Sequence, residues 1–124
     1  MRKVKEARFV LPWPPTANNS KVTGARGRFV SVKALRRYQE ACGWTIVETG
    51  VVHVDPPYIV IMDLYEPDRR RRDICNYEKH AIDCLVKAGV IIDDCKINSL
   101  LIRRAGYHDG GRIVVQINHL EEMS

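Results

Sequence analysis

The stretch Tyr58-Ile-Val-Ile-Met-Asp-Leu-Tyr-Glu-Pro-Asp-Arg-Arg-Arg-Arg-Asp-Ile-Cys-Asn-Tyr-Glu-Lys79 passes from a strand pattern into a helix pattern. Its first eight residues are β-branched and nearly all apolar, which predicts a central strand covered on both faces. Asp63 is the one charge among them, marking either the strand's exposed end or part of a site. From Asn76 the period changes: Tyr77, Ala81, Cys84, Leu85 and Ala88 mark one helical face. Asn76 can cap that helix at its start and Gly89 can stop it. Between strand and helix stand four consecutive arginines, Arg69 to Arg72, flanked by Asp68 and Asp73.

Working outward, the short apolar run Val90-Ile91-Ile92 leads to the acidic pair Asp93-Asp94. Ile97 to Arg104 and Arg112 to Leu120 read as two strands joined by Gly106-Tyr-His-Asp-Gly-Gly111, a hairpin signal. On the N-terminal side, Val4 to Leu11 reads as a first strand, ended by Pro12-Trp13-Pro14-Pro15. A polar loop with Gly24 and Gly27 follows, then a short strand at Arg28 to Ser31. Ser31 caps a helix in which Leu35, Tyr38, Cys42, Thr45 and Ile46 recur at three- and four-residue spacing, with Gly50 as its stop. The order strand, strand, helix, strand, helix, strand, strand predicts an α+β domain: a mixed β-sheet with two helices packed on it. Helices on one side leave the sheet's other face needing cover, which favours a homodimer.

At 124 residues the chain is read as one domain, residues 1–124. A hydrophobic fraction of 45% with 28% charged residues is that of a soluble globular protein. No apolar run is long enough for a membrane span and no apolar core follows the basic N-terminus, so a cytoplasmic protein with no membrane role is expected. Cys42, Cys75, Cys84 and Cys95 form no CxxC pair, which leaves reduced thiols rather than a zinc site. The net charge of +5 and the arginine run favour a polyanionic partner over an acidic small molecule. Two or three carboxylates can hold Mg²⁺ with positions open for a phosphodiester, so Asp73 and Asp94 are candidate metal ligands. Lys79, on the first helical turn, could orient a phosphate or stabilise a leaving oxygen. The plainer alternative stays open on spacing alone: Asp73 caps a helix while Asp93 and Asp94 occupy an exposed turn. Trp13 is read as a packed anchor.

These residues resemble the RusA-type Holliday junction resolvases of bacteria and their phages. Three blocks carry the resemblance: Leu11-Pro-Trp-Pro-Pro15 with Asn18-Asn19; Pro67-Asp-Arg-Arg-Arg-Arg-Asp73 through Asn76 and Lys79; and Lys87-Ala-Gly89 leading to Asp93-Asp94. Gly110-Gly-Arg112 also fits, and the match runs over roughly residues 8 to 118. It implies a homodimeric, Mg²⁺-dependent endonuclease, with Mn²⁺ a possible substitute, that binds four-way DNA junctions and nicks two opposing strands in recombination and repair. It further implies that Asp73 and Asp94 are metal-binding catalytic carboxylates and Lys79 a catalytic residue. With the basic surface, Arg69, Arg70, Arg71, Arg72 and Lys79 become the candidate DNA contacts.

One position departs from the family's pattern. Where the pattern is Asp-x-Asp-Asn, this chain reads Asp73-Ile74-Cys75-Asn76. A thiol is a soft ligand and Mg²⁺ prefers hard oxygen; beside carboxylates the thiol stays neutral. Weaker metal binding is therefore expected. Natural divergence with slow or Mn²⁺-dependent cleavage, a relative that binds junctions without cutting, and an engineered block all fit Cys75.

Overall fold

The computed structural model describes residues 2–15, 18–19, 28–29 and 32–121. In chain order the elements are β1 (Arg2–Val4), β2 (Glu6–Pro12), β3 (Asn18–Asn19), β4 (Arg28–Phe29), α1 (Val32–Thr49), β5 (Val52–Val54), β6 (Tyr58–Glu66), α2 (Glu78–Lys87), β7 (Ile97–Tyr107) and β8 (Arg112–His119). Two 3₁₀ turns, Ile74–Asn76 and Asp94–Lys96, flank α2 in sequence. The α+β expectation holds: a four-stranded mixed sheet, ordered β2-β8-β6-β7, carries two helices. Two small sheets accompany it, β1 parallel to β5 and β3 antiparallel to β4. The first predicted strand is thus two, broken at Lys5. The expected cap at Ser31 and the glycine loop Gly24 to Gly27 lie outside the described residues, as do the last three of the tail Glu121 to Ser124.

β6 is the central strand, antiparallel to β8 on one side and parallel to β7 on the other. Its burial alternates: Tyr58, Val60, Met62, Leu64 and Glu66 are buried, whereas Ile59, Ile61, Asp63 and Tyr65 are half-buried. The expectation of cover on both faces is therefore corrected: α1 and α2 cover one face, and among the described residues nothing covers the other. The register aligns Phe9, Val115 and Met62 on the covered face, and likewise Leu11, Ile113 and Leu64. Tyr38, Cys42 and Ile46 of α1 join Ala81, Cys84 and Leu85 of α2 in this core. Each full burial of a Leu or Met side chain there contributes about 1.5–3 kcal/mol. Asp63 lies mid-strand on the open face, where Arg103 of β7 donates to its carboxylate.

The expected hairpin between the last two strands is not formed. β7 and β8 lie on opposite sides of β6, so the segment after β7 bridges the end of the central strand. The His108 amide donates to the Glu66 carbonyl at 3.0 Å, tying that bridge down. The physical reason is β6 itself: an inner strand needs ladder partners along both edges, and β7 and β8 are those partners. Gly106 and Gly111, at φ +147° and +73°, serve the bridge rather than a two-residue turn. A Cβ on Gly111 would come within 2.8 Å of the Trp13 ring.

The unit β6–α2–β7 is a parallel crossover, with α2 running back from the end of β6 towards the start of β7. Gly89, at φ +83°, ends α2 as expected, its amide donating to the Val86 carbonyl at 3.0 Å. The cap position of α2 falls one residue later than expected, on Tyr77, which makes no side-chain cap bond.

Candidate functional site

Asp73 stands where the chain leaves β6 and enters α2. Its Oδ1 accepts from the Cys75 amide at 3.1 Å and so caps the 3₁₀ turn that precedes the helix. Cys75 is exposed, and the negative charge of Asp73, with a hydrogen bond to it, pushes the thiol's pKa up. The thiol is therefore neutral at physiological pH. Lys79 is exposed on the first turn of α2. Beside it, Glu78 has a buried Oε2 without a hydrogen-bond partner among the described residues.

The four arginines divide by what holds them. Arg72 turns inward, its side chain only 12% exposed, with Nη1 2.8 Å from Asp68 and 3.7 Å from the buried carboxylate of Glu66. Glu66 also accepts from Arg104 Nε of β7 at 2.9 Å, and Arg104 donates in turn to the Arg72 carbonyl. A buried carboxylate thus ties the arginine segment to strand β7. Sequence reasoning missed Glu66, although its phase with Tyr58, Val60, Met62 and Leu64 already put it on the buried face. Arg69 lies over the Tyr107 ring at 4.5 Å, and Arg70, 82% exposed, is 3.7 Å from Asp68. Arg71 is exposed and has no ion-pair partner among the described residues. Trp13 is a packed anchor, 4.7 Å from Tyr77 between ring centroids and 6.0 Å from the Arg72 guanidinium.

The second acidic element sits at the other end of the crossover. Asp93 accepts from the Cys95 amide at 3.0 Å and caps its own 3₁₀ turn, and that amide is the main cause lowering its pKa. Asp93, Asp94, Cys95 and Lys96 are all exposed. This turn leads into the start of β7, opposite Tyr58, whereas Arg104, which touches Arg72, is opposite Leu64. Seven strand residues, about 23 Å, separate Ile97 from Arg104. Within one protomer the structure therefore does not bring Asp94 to Asp73, because Asp94 precedes β7 instead of following it. Among the described residues no three His, Cys, Asp or Glu side chains converge as a metal cage requires. No described helix is long and apolar enough to cross a membrane.

Comparison with known proteins gives this arrangement its relatives. The family described as Endodeoxyribonuclease RusA matches residues 12–118. The chain is 30% identical over 114 residues to proteins named crossover junction endodeoxyribonuclease RusA from Escherichia coli K12 and from Enterobacteria phage 82. In both cases the match covers 90% of this chain and 93% of the relative. The chain belongs to the RusA family of endodeoxyribonucleases.

Proposed function

We propose that this chain is a divalent-metal-dependent, structure-selective endonuclease that binds four-way DNA junctions in the cytoplasm and resolves them by paired symmetric nicks, in recombination and repair. The observation that carries the reading is a capping carboxylate, Asp73, followed after one 3₁₀ turn by the exposed cation Lys79 on the first turn of α2, and joined to an arginine segment braced by Glu66. Arg70 and Arg71 are the cations freest to meet phosphate, with Arg69 adding charge from its seat on Tyr107. Arg72 keeps the segment in place. Phosphate contacts of this kind supply affinity and register without sequence information.

The donor set fits a hard divalent cation only in part. Asp73 supplies carboxylate oxygen, Cys75 supplies a neutral sulfur, and Asp94 lies at the far end of the crossover. A homodimer resolves the mismatch when the partner subunit's Asp94 approaches Asp73. Two features favour such a dimer: a sheet face left open by the described residues, and the edge of β7, which no described strand pairs and where Leu100 and Leu101 are exposed. Asp73 and the partner subunit's Asp94 would then hold Mg²⁺ or Mn²⁺. When bound, the cation neutralises charge developing on the phosphoryl group and lowers the cost of ionising water. Lys79 stabilises the leaving oxygen, and a two-fold dimer carries two such sites for the two opposing strands.

Cys75 supports a second reading, a junction-binding protein of the same fold that does not cut. Incubating a synthetic four-way junction with the chain in Mg²⁺, in Mn²⁺ and in chelator separates the two. Paired nicks that need the metal, with binding retained in chelator, are expected. Binding without nicks in either metal, with nicking appearing in Cys75→Asp, would favour the silent reading. Weak association indifferent to salt would remove both.

A further inference from the structure

We propose that Tyr107, with the Arg69 guanidinium laid on it, is a base-stacking platform that takes the uncovered face of a nucleobase at the branch of the DNA junction. The inference rests on the reading above, in which the chain binds four-way junctions, and names a residue that tells a branch from plain duplex. Arginine contacts to phosphate cannot make that distinction, because a linear duplex offers the same charged backbone. Within a duplex each base is covered above and below by its neighbours. Where the arms of a junction part, the pair that ends an arm presents an uncovered face. An aromatic ring or a guanidinium plane is suited to that face, whatever the base.

Tyr107 ends β7, in register with Glu66 at the end of β6. It is 52% exposed, and the Arg69 guanidinium lies 4.5 Å from its ring centroid. Among the described residues no second ring packs on it and its hydroxyl has no hydrogen-bond partner. Tyr38 and Tyr58, by contrast, are buried and donate to the Pro12 and Val54 carbonyls. Neither core packing nor a polar anchor therefore accounts for a tyrosine at position 107. A stacking surface must also be held still, and both halves of this one are. Arg104, earlier on β7, donates to Glu66 and to the Arg72 carbonyl, and the His108 amide donates to the Glu66 carbonyl. Those bonds fix the backbone on either side of Tyr107. Arg72, 2.8 Å from Asp68, fixes the segment that carries Arg69. The bond from Arg104 ends on the residue before Asp73, so the platform and Asp73 share one end of the sheet.

The test measures binding of the full chain, in chelator, to a synthetic four-way junction and to a linear duplex of matching sequence. The junction carries 2-aminopurine at the branch, and the proteins compared are the native chain, Tyr107→Phe, Tyr107→Trp and Tyr107→Leu. Tyr107→Leu is expected to lower junction affinity about tenfold and to leave duplex affinity, the salt slope and the melting temperature unchanged. The two variants that keep a ring should retain the native preference for the junction. The native chain should change the 2-aminopurine emission at the branch, and Tyr107→Leu should not. An equal loss on junction and duplex, with a smaller salt slope, would make Tyr107 only the seat of a phosphate-binding Arg69 and overturn the proposal. Full junction preference in Tyr107→Leu also overturns it. Should Tyr107→Leu fail to fold, unchanged branch emission with both the native chain and Tyr107→Trp overturns it instead. A native chain that binds junction and duplex equally removes the junction reading itself, on which the platform depends.

Discussion

The two ends of the β6–α2–β7 crossover use the same local device in different surroundings. Asp73 caps a 3₁₀ turn by accepting from Cys75, and Asp93 caps one by accepting from Cys95, at 3.1 and 3.0 Å. Around Asp73 the chain adds a buried glutamate, two arginines gripping it, and the packed, mutually tilted rings of Trp13 and Tyr77. Around Asp93 it adds far less: the Ile92 amide donates to the Tyr58 hydroxyl at 3.0 Å, but the turn itself is exposed and the Ile92 side chain is 60% exposed. The same Asp-x-Cys backbone motif therefore says little about role. What distinguishes the ends is that the first is fixed by tertiary contacts, as a preorganised site must be, while the second is presented to solvent.

The largest expected difference is in stability. Arg72→Ala leaves the buried Glu66 carboxylate with one partner fewer, and a loss of about 3 kcal/mol is expected in urea unfolding. Asp94→Asn at the exposed end should stay within about 0.5 kcal/mol of native. Equal losses from the two substitutions would erase the distinction between a braced and a bare end.

A smaller effect separates the arginines within the braced end. Replacing Arg70 and Arg71 by Ala should leave the melting temperature unchanged and lower the slope of log affinity for the junction against log salt by about 2. An unchanged slope with a lower melting temperature would make these two structural like Arg72.

The smallest effect is one of pH. The hydrogen bond from Arg72, more than any other cause, holds the Asp68 carboxyl down to about 2. A depressed carboxylate contributes stability that is complete above its unfolded pKa, near 4, and is lost as pH falls towards 2. Asp68→Asn should therefore lower stability most at neutral pH, where the carboxylate contributes in full, and least near pH 2, flattening the stability profile between pH 4 and 2. A profile that keeps its full slope in Asp68→Asn would show that the acid sensitivity lies elsewhere.

Much of this was readable in the residues, for reasons that also explain what was not. Apolar spacing located α1, β6 and α2, because burial on one face imposes its period on the chain. Turn chemistry located the Gly106–Gly111 bend but not its partners; a turn reports a change of direction, and the pairing is decided by which strand needs two neighbours. Residue type made Asp73, Asp94 and Lys79 candidates and the capping role of Asp73 legible, and the resemblance sharpened their expected roles. Their separation within a protomer was not, since strand order decides whether a residue before β7 faces the start or the end of β6. Arg104 likewise stands opposite Leu64 in the register, a pairing that no local pattern encodes.

The most direct test of a site shared between protomers mixes two inactive chains. Asp73→Asn and Asp94→Asn are each unable to nick in homodimers if both carboxylates are required. Their heterodimer, formed by co-expression, contains one pairing of an intact Asp73 with the partner subunit's intact Asp94. Single nicks at the junction in Mg²⁺ or Mn²⁺ from the heterodimer, with paired cleavage absent, are the predicted result. A heterodimer as inert as either parent, in a pair whose native counterpart cuts, would contradict the shared site.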